Sequence, residues 1–184
     1  MSNHVKAVFI DRDGVLNTTL PPYISRWQDY VWYPWTFAAL RRLRQAGAFL
    51  FLITNQSGIG RGYFSESQLL DIHNRLQDRL DNAGIKVAEL YYCPHRPEED
   101  CACRKPKPGM LQQAVNAYDV DLSKAFLVGD HYTDIEAGNA VGASTILVES
   151  LRNAGNGEMR VAPDYRATTL LNAANIIINQ WERS

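Results

Sequence analysis

Two carboxylates one residue apart, Asp11 and Asp13, follow the apolar run Val8-Phe9-Ile10 and precede Gly14. Like charges this close repel, so the pair costs stability unless a cation or another partner offsets it. In chemical terms the pair reads as a metal-assisted active site. The plainer alternative is a strand running into an Asp-rich turn, which is a common feature. Three further polar clusters bear on the choice. Thr54-Asn55 ends a second apolar run, Asp130 and Asp134 follow a third, and Arg104-Lys105-Pro106-Lys107-Pro108 precedes a helix start, where anions are favoured. Carboxylates, hydroxyl and amide donors and a lysine together describe a site for a hard cation and a phosphoryl group.

A second constellation is Cys93-Pro94-His95 followed by Cys101-Ala102-Cys103, which holds all three cysteines of the chain within eleven residues. Three thiolates and an imidazole make a four-ligand Zn2+ site, closed by protein and therefore structural. The alternative is a set of unrelated thiols, against which the clustering of every cysteine argues. No Cys-x-x-Cys spacing is present to support a redox motif.

These groups need a scaffold, and the pattern supplies one. Apolar strand-like runs at Val5–Ile10, Ala48–Ile53, Val87–Tyr92, Ala125–Val128 and Ser144–Val148 alternate with helical periodicity. Helices are expected after Pro34 (Phe37, Leu40, Leu43 on one face), after Ser65 (Leu69, Ile72, Leu76, Leu80) and from Pro108 (Leu111, Ala114, Val115, Tyr118). Two more are expected over Thr133–Val141 and from Thr168 or Thr169 to the end, the last burying Leu171, Ala174, Ile178 and Trp181. Ser65 and Gln68 form a capping-box pair. Tyr165 is a candidate for a short edge strand, 150–163 reads as a loop, and Asn17–Trp32 reads as a long ordered loop of a length that is usually functional. The alternation predicts a doubly wound parallel α/β sheet in a single domain, 1–184, and ligands then lie beyond the carboxyl ends of the strands.

The bulk properties exclude several classes. A formal net charge of -1 gives no basic field for nucleic acid, and no apolar run approaches the roughly 20 residues that span a membrane. The short apolar N-terminal stretch runs into Asp11 and lacks signal-peptide character, so a cytoplasmic location is expected. His73, on the apolar side of its helix, reads as a core or boundary histidine, and Asp119 and Asp121 read as solvated turn residues.

Asp-x-Asp-Gly after strand one, Thr-Asn after strand two, a lysine ahead of a helix and Gly-Asp-x-x-x-Asp after strand four together resemble the haloacid-dehalogenase (HAD) superfamily of phosphatases. The four motifs occur in order from Asp11 to Asp134. The resemblance implies a Rossmann-like core and Mg2+-dependent hydrolysis of a phosphate monoester through an aspartyl phosphate. It implies Asp11 as nucleophile, Asp13 as acid and base, and Thr54 and Asn55 as groups holding phosphoryl oxygen and substrate. Lys105 would neutralise the transferring group. Asp130 would complete the Mg2+ site with Asp11 and the backbone carbonyl of Asp13, and Asp134 would act from behind it or through water.

With its Zn2+ loop, 93–106, the chain is further similar to a small capless subgroup, the heptose-bisphosphate and histidinol-phosphate phosphatases. The stretches Thr54–Gly62 and Cys103–Leu111 look more like the heptose type, implying removal of the 7-phosphate of D-glycero-D-manno-heptose 1,7-bisphosphate. A sugar bisphosphate needs cations for its second phosphate, and Arg61 and Arg104 are the candidates; each is otherwise an ordinary solvated arginine. Histidinol phosphate would instead need an anionic or polar pocket. The chain departs from the heptose type in carrying His131 rather than lysine after Asp130, and in the aromatic stretch Tyr23–Trp35. No large cap insertion separates the motifs, so an open site and a monomer are expected. A zinc-stabilised binding protein without catalysis is the non-enzyme alternative; it gives no reason to assemble Asp11, Asp13, Lys105 and Asp130.

Overall fold

The computed structural model describes residues 5–19, 23–149 and 161–183. Six parallel strands form one sheet in the order β3-β2-β1-β4-β5-β6. They are β1 (Ala7–Asp11), β2 (Phe49–Asn55), β3 (Glu89–Cys93), β4 (Phe126–Gly129), β5 (Ser144–Val148) and β6 (Tyr165–Ala167). The helices are α1 (Thr36–Gln45), α2 (Glu66–Asn82), α3 (Gly109–Tyr118), α4 (Tyr132–Val141) and α5 (Leu170–Arg183).

Strand β1 is buried along its whole length, and its side chains alternate between two cores. Val8 and Ile10 face a core shared with α1, α2 and α5, while Ala7 and Phe9 face one shared with α3 and α4. Burial of one such Val or Ile side chain contributes about 1.5–3 kcal/mol, which makes β1 a rigid mount for whatever follows it. The chain winds outward from β1 through β2 to β3, then returns to the other side of β1 at β4. The winding reverses between β1 and β4, and a crevice opens there at the carboxyl ends of the strands.

Strands β1, β2 and β3 run further than their apolar stretches, so that Asp11, Thr54, Asn55 and Cys93 are strand residues. Val5 lies outside β1 and forms an isolated bridge to Val120. The Ser65–Gln68 capping box is present at the start of α2, and β6 is a parallel edge strand. Helix α5 departs from expectation: Leu170, Ala173, Ala174 and Ile177 are buried, while Leu171, Ile178 and Trp181 are half-buried. The two alanines let the helix approach its neighbours closely on that face, and Trp181 instead donates its indole N–H to Lys124 O at 2.8 Å. On α3, Met110 joins Leu111 and Ala114 in the core, with Val115 and Tyr118 packed at its margin. Of the expected 150–163 loop, residues 150–160 lie outside the described residues.

The aromatic stretch packs on itself and on the core, which Tyr30 joins and Trp27, Trp32 and Trp35 flank. Trp27 stacks on Tyr30 at 5.3 Å, Tyr30 meets Trp32 edge-on at 4.9 Å, and Trp32 leans on Phe37 at 4.9 Å. Asn17 ties this segment down through bridges to Asp13 and Trp32. No helix among the described residues is long and apolar enough to cross a membrane.

Candidate active site

A cavity of 520 Å³ opens beyond the strand ends and is lined by residues from all four polar clusters first singled out in the sequence: Asp11, Asp13, Thr54, Asn55, Arg104, Lys105 and Asp134, with His131 beside them. Such a volume suits a small metabolite. At its floor Lys105 Nζ lies 2.7 Å from Asp11 Oδ1, 2.6 Å from Asp134 Oδ1 and 3.1 Å from the carbonyl of Ile53. Carboxylate oxygens of Asp11, Asp130 and Asp134 all lie within 4.8 Å of one another.

Two buried carboxylates, Asp11 and Asp134, thus share one buried cation, with the buried Asp130 beside them. Burial above all, with Asp134 adding repulsion and Lys105 opposing, raises the Asp11 carboxyl to about 6. Burial alone would lower the Lys105 ammonium, but the Asp11 and Asp134 carboxylates beside it hold it well above its ordinary range. The cluster therefore carries excess negative charge on hard oxygen donors, which is the donor set of a Mg2+-type ion. Gly14 keeps the approach narrow: at φ 96°, a Cβ there would sit 2.0 Å from Asp130 Oδ2.

Each partner is fixed by its element. Asn55, at the end of β2, accepts from Lys105 N at 3.1 Å and donates to Lys105 O at 3.0 Å, pinning the lysine's backbone rather than facing the cavity alone. Thr54 Oγ1 accepts from Gln56 Nε2 at 2.8 Å. Asp134 closes a capping box at the start of α4 by accepting from His131 N at 3.1 Å, while Thr133 N donates to His131 Nδ1 at 3.3 Å. His131, Tyr132 and Thr133 consequently line the cavity at a helix N-terminus, where phosphate oxygens are favoured.

Asp13 is surrounded by donors. Oδ1 accepts from Arg12 Nε at 3.1 Å and from Asn17 Nδ2 at 2.9 Å; Oδ2 accepts from Arg12 at 2.8 Å and from Gln56 Nε2 at 2.8 Å. Sequence reasoning missed Arg12 and Gln56. A signal for Arg12 existed: the period of two that puts Val8 and Ile10 in one core carries position 12 toward the same face. An arginine there needs buried partners, and His73 on the apolar side of α2 is one, with its Nε2 3.0 Å from Arg12.

Among the arginines expected near substrate, Arg104 lines the cavity and donates to His95 O at 3.2 Å. Arg61 is exposed and is not among the lining residues. Of the stretch Tyr23–Trp35, Tyr23 and Ile24 reach the cavity wall, where Tyr132 also stands.

The cysteine loop lies alongside. Cys93 and Cys101 sulfurs are 3.5 Å apart, Cys101 and Cys103 are 3.4 Å apart, and His95 Nδ1 is 3.6 Å from Cys93 and 3.4 Å from Cys103. A disulfide would need about 2.05 Å. Four ligands around one Zn2+ at about 2.0–2.3 Å would stand roughly 3.5–3.8 Å apart, which these distances approach. Burial pushes the Cys93 thiol well up, so a thiolate at that position calls for a cation.

A family model described as HAD-hydrolase-like matches residues 102–173. The chain is 40% identical to a D-glycero-β-D-manno-heptose-1,7-bisphosphate 7-phosphatase of Pseudomonas putida over 167 residues, 91% of this chain and 93% of that protein. It is 37% identical to the Haemophilus influenzae protein of the same description over 180 residues, 94% and 96% of the two chains. Among solved structures, a D,D-heptose 1,7-bisphosphate phosphatase from B. bronchiseptica complexed with magnesium and phosphate superposes with a TM-score of 0.87 at 32% identity. That match covers 96% of this chain and 99% of that one.

Proposed function

The chain belongs to the heptose-bisphosphate phosphatases of the HAD-like hydrolases, and from that premise we propose that it removes the 7-phosphate of D-glycero-D-manno-heptose 1,7-bisphosphate. The observation that carries this reading is the Asp11–Lys105–Asp134 ion cluster beside Asp130 at the floor of a sugar-sized cavity.

In this reading Asp11 attacks phosphorus in line, forming an aspartyl phosphate as the bond to the sugar oxygen breaks. Asp13 gives that oxygen its proton, then takes one from the water that attacks the aspartyl phosphate and releases inorganic phosphate. Lys105 offsets charge on the transferring group and holds Asp11 in place. Asp11, Asp130 and the backbone carbonyl of Asp13 would hold Mg2+, with Asp134 behind them. Bound there, the ion supplies the positive charge that lets an anionic nucleophile meet an anionic ester.

Arg104, which lines the cavity, is the first candidate for holding the second phosphate, and the exposed Arg61, outside the cavity lining, is the second. Cys93, His95, Cys101 and Cys103 would hold Zn2+, steadying the loop that delivers Arg104 and Lys105 without a cap domain. In this reading the protein works as a cytoplasmic, single-domain monomer on a small phosphorylated sugar, with no nucleic-acid partner.

The test is phosphate release by the purified protein with Mg2+ on both anomers of the bisphosphate, beside histidinol phosphate. A kcat/KM for one heptose anomer at least about a hundredfold above that for histidinol phosphate, abolished in Asp11→Asn, is expected. Preference for histidinol phosphate, or full activity in Asp11→Asn, overturns the reading.

A further inference from the structure

Arg12 is the largest side chain of the protein with no exposed surface among the described residues, and each of its nitrogens has a job. Nε and one terminal nitrogen meet the two oxygens of Asp13 edge-on, at 3.1 and 2.8 Å. The other terminal nitrogen meets His73 Nε2 at 3.0 Å, and the guanidinium carbon stands 5.9 Å from the Tyr30 ring centre. A guanidinium only donates, so His73 must accept through a bare Nε2 and is the neutral ring. Burial, with Arg12 adding repulsion, lowers His73 to about 3, in keeping with that role.

We propose that Arg12, braced by His73, is a positioning residue that fixes the plane of the Asp13 carboxyl and selects Oδ2 as the oxygen that exchanges a proton with the reacting ester. The two-point fork leaves the carboxyl no free rotation, which a point charge on a flexible stem would permit. Asn17 holds the Oδ1 side. On the Oδ2 side Gln56 is a further donor, and of Arg12, Asn17 and Gln56 it is the one lining the cavity. Gln56 is therefore the donor that gives way when Oδ2 carries a proton to the leaving oxygen, as the bond from Asp11 to phosphorus forms and the bond to the sugar oxygen breaks.

The inference rests on the phosphatase reading, and leaving-group dependence separates the two. An alkyl ester such as the heptose 7-phosphate needs a proton on its leaving oxygen; 4-nitrophenyl phosphate leaves without one. We would measure kcat/KM, which stops at aspartyl-phosphate formation, for both esters in the unaltered protein and in Arg12→Lys, His73→Phe and His73→Gln. Arg12→Lys is expected to lose at least about tenfold more on the heptose ester than on the nitrophenyl ester, within the 10²–10⁴-fold range of general acid catalysis. His73→Phe, which lacks an acceptor, should show the same bias more weakly. His73→Gln, whose amide oxygen can receive the Arg12 proton, should restore the unaltered ratio. If Arg12→Lys does not fold, the His73 pair decides alone. Equal losses on both esters, or His73→Gln no better than His73→Phe, overturn the inference while leaving the phosphatase reading intact. No turnover by the unaltered protein overturns both.

Discussion

Lys105 Nζ stands 2.7 Å from Asp11 Oδ1, joining residues 94 positions apart in the chain. The same nitrogen reaches Asp134 at 2.6 Å, so one ammonium ties the end of β1 to the start of α4. With Asp130 in the same cluster, the carboxylates outnumber their cation. Lys105 is therefore a structural tie and, in the proposed reaction, a charge that substrate and metal would share.

Removing that tie should expose the imbalance. Lys105→Met is expected to lower phosphatase activity by at least about 10²-fold, the scale of losing one oxyanion donor. It should also cost about 3–5 kcal/mol of stability without added metal, because a buried ion cluster loses its partner. Mg2+ should then stabilise the variant more than the unaltered protein. Urea unfolding with and without Mg2+ checks this, and equal responses would contradict the charge-sharing account.

Zinc carries a second prediction. Metal analysis of freshly reduced protein should find about one zinc per chain, and Cys101→Ser should lose it. Because Arg104 and Lys105 follow Cys103 directly, the variant should melt lower and lose activity in parallel. Zinc-free protein with full activity and an unchanged melting temperature would remove the loop from the account.

Gly14→Ala tests the approach of β1's turn to β4. The added Cβ meets Asp130 Oδ2 at 2.0 Å and the backbone sits at φ 96°, so the strain should cost about 1–3 kcal/mol. Asp130 has to move, and half-saturation by Mg2+ in the phosphate-release assay should rise together with the loss of stability. Unchanged Mg2+ dependence would show that Asp130 is not crowded as described.

The buried His73 sets a pH dependence with a definite sign. Its folded value, about 3, lies below the ordinary 6.5, so the unfolded chain binds the proton more readily between those values. Stability should therefore fall as pH drops below about 6.5, by at most about 1.4 kcal/mol per pH unit from this group. His73→Gln removes that contribution. Urea midpoints at pH 7 and pH 5 should fall further apart in the unaltered protein than in the variant; equal differences would mean that His73 is not held neutral.

The parallel strand order follows from local pattern, because each central strand is a run of apolar residues buried on both faces and each return path is a helix with one apolar stripe. The site clusters were legible for the same reason: polar residues stand out where such a run stops. The face of α5 was less legible. Leu171, Ile178 and Trp181 satisfy helical spacing as well as Leu170, Ala173 and Ile177 do, and only close packing through Ala173 and Ala174 separates the two stripes. The aromatic stretch offered no period, and its rings settled on one another and on the core.

By itself, the sequence determined the sheet and singled out the carboxylates, the lysine and the cysteine–histidine cluster proposed for the site, since each is written in residue type and spacing over short distances. Tertiary structure alone decided how those groups are paired. It gave Asn55 to the backbone of Lys105, Asp134 to both Lys105 and the cap of α4, and Arg12 to Asp13 and His73. It also set Arg61 apart from the cavity and kept Arg104 within it. Hydrogen bonds and ion pairs act over about 3 Å, and which side chains come that close is fixed only when separate strands and helices pack together.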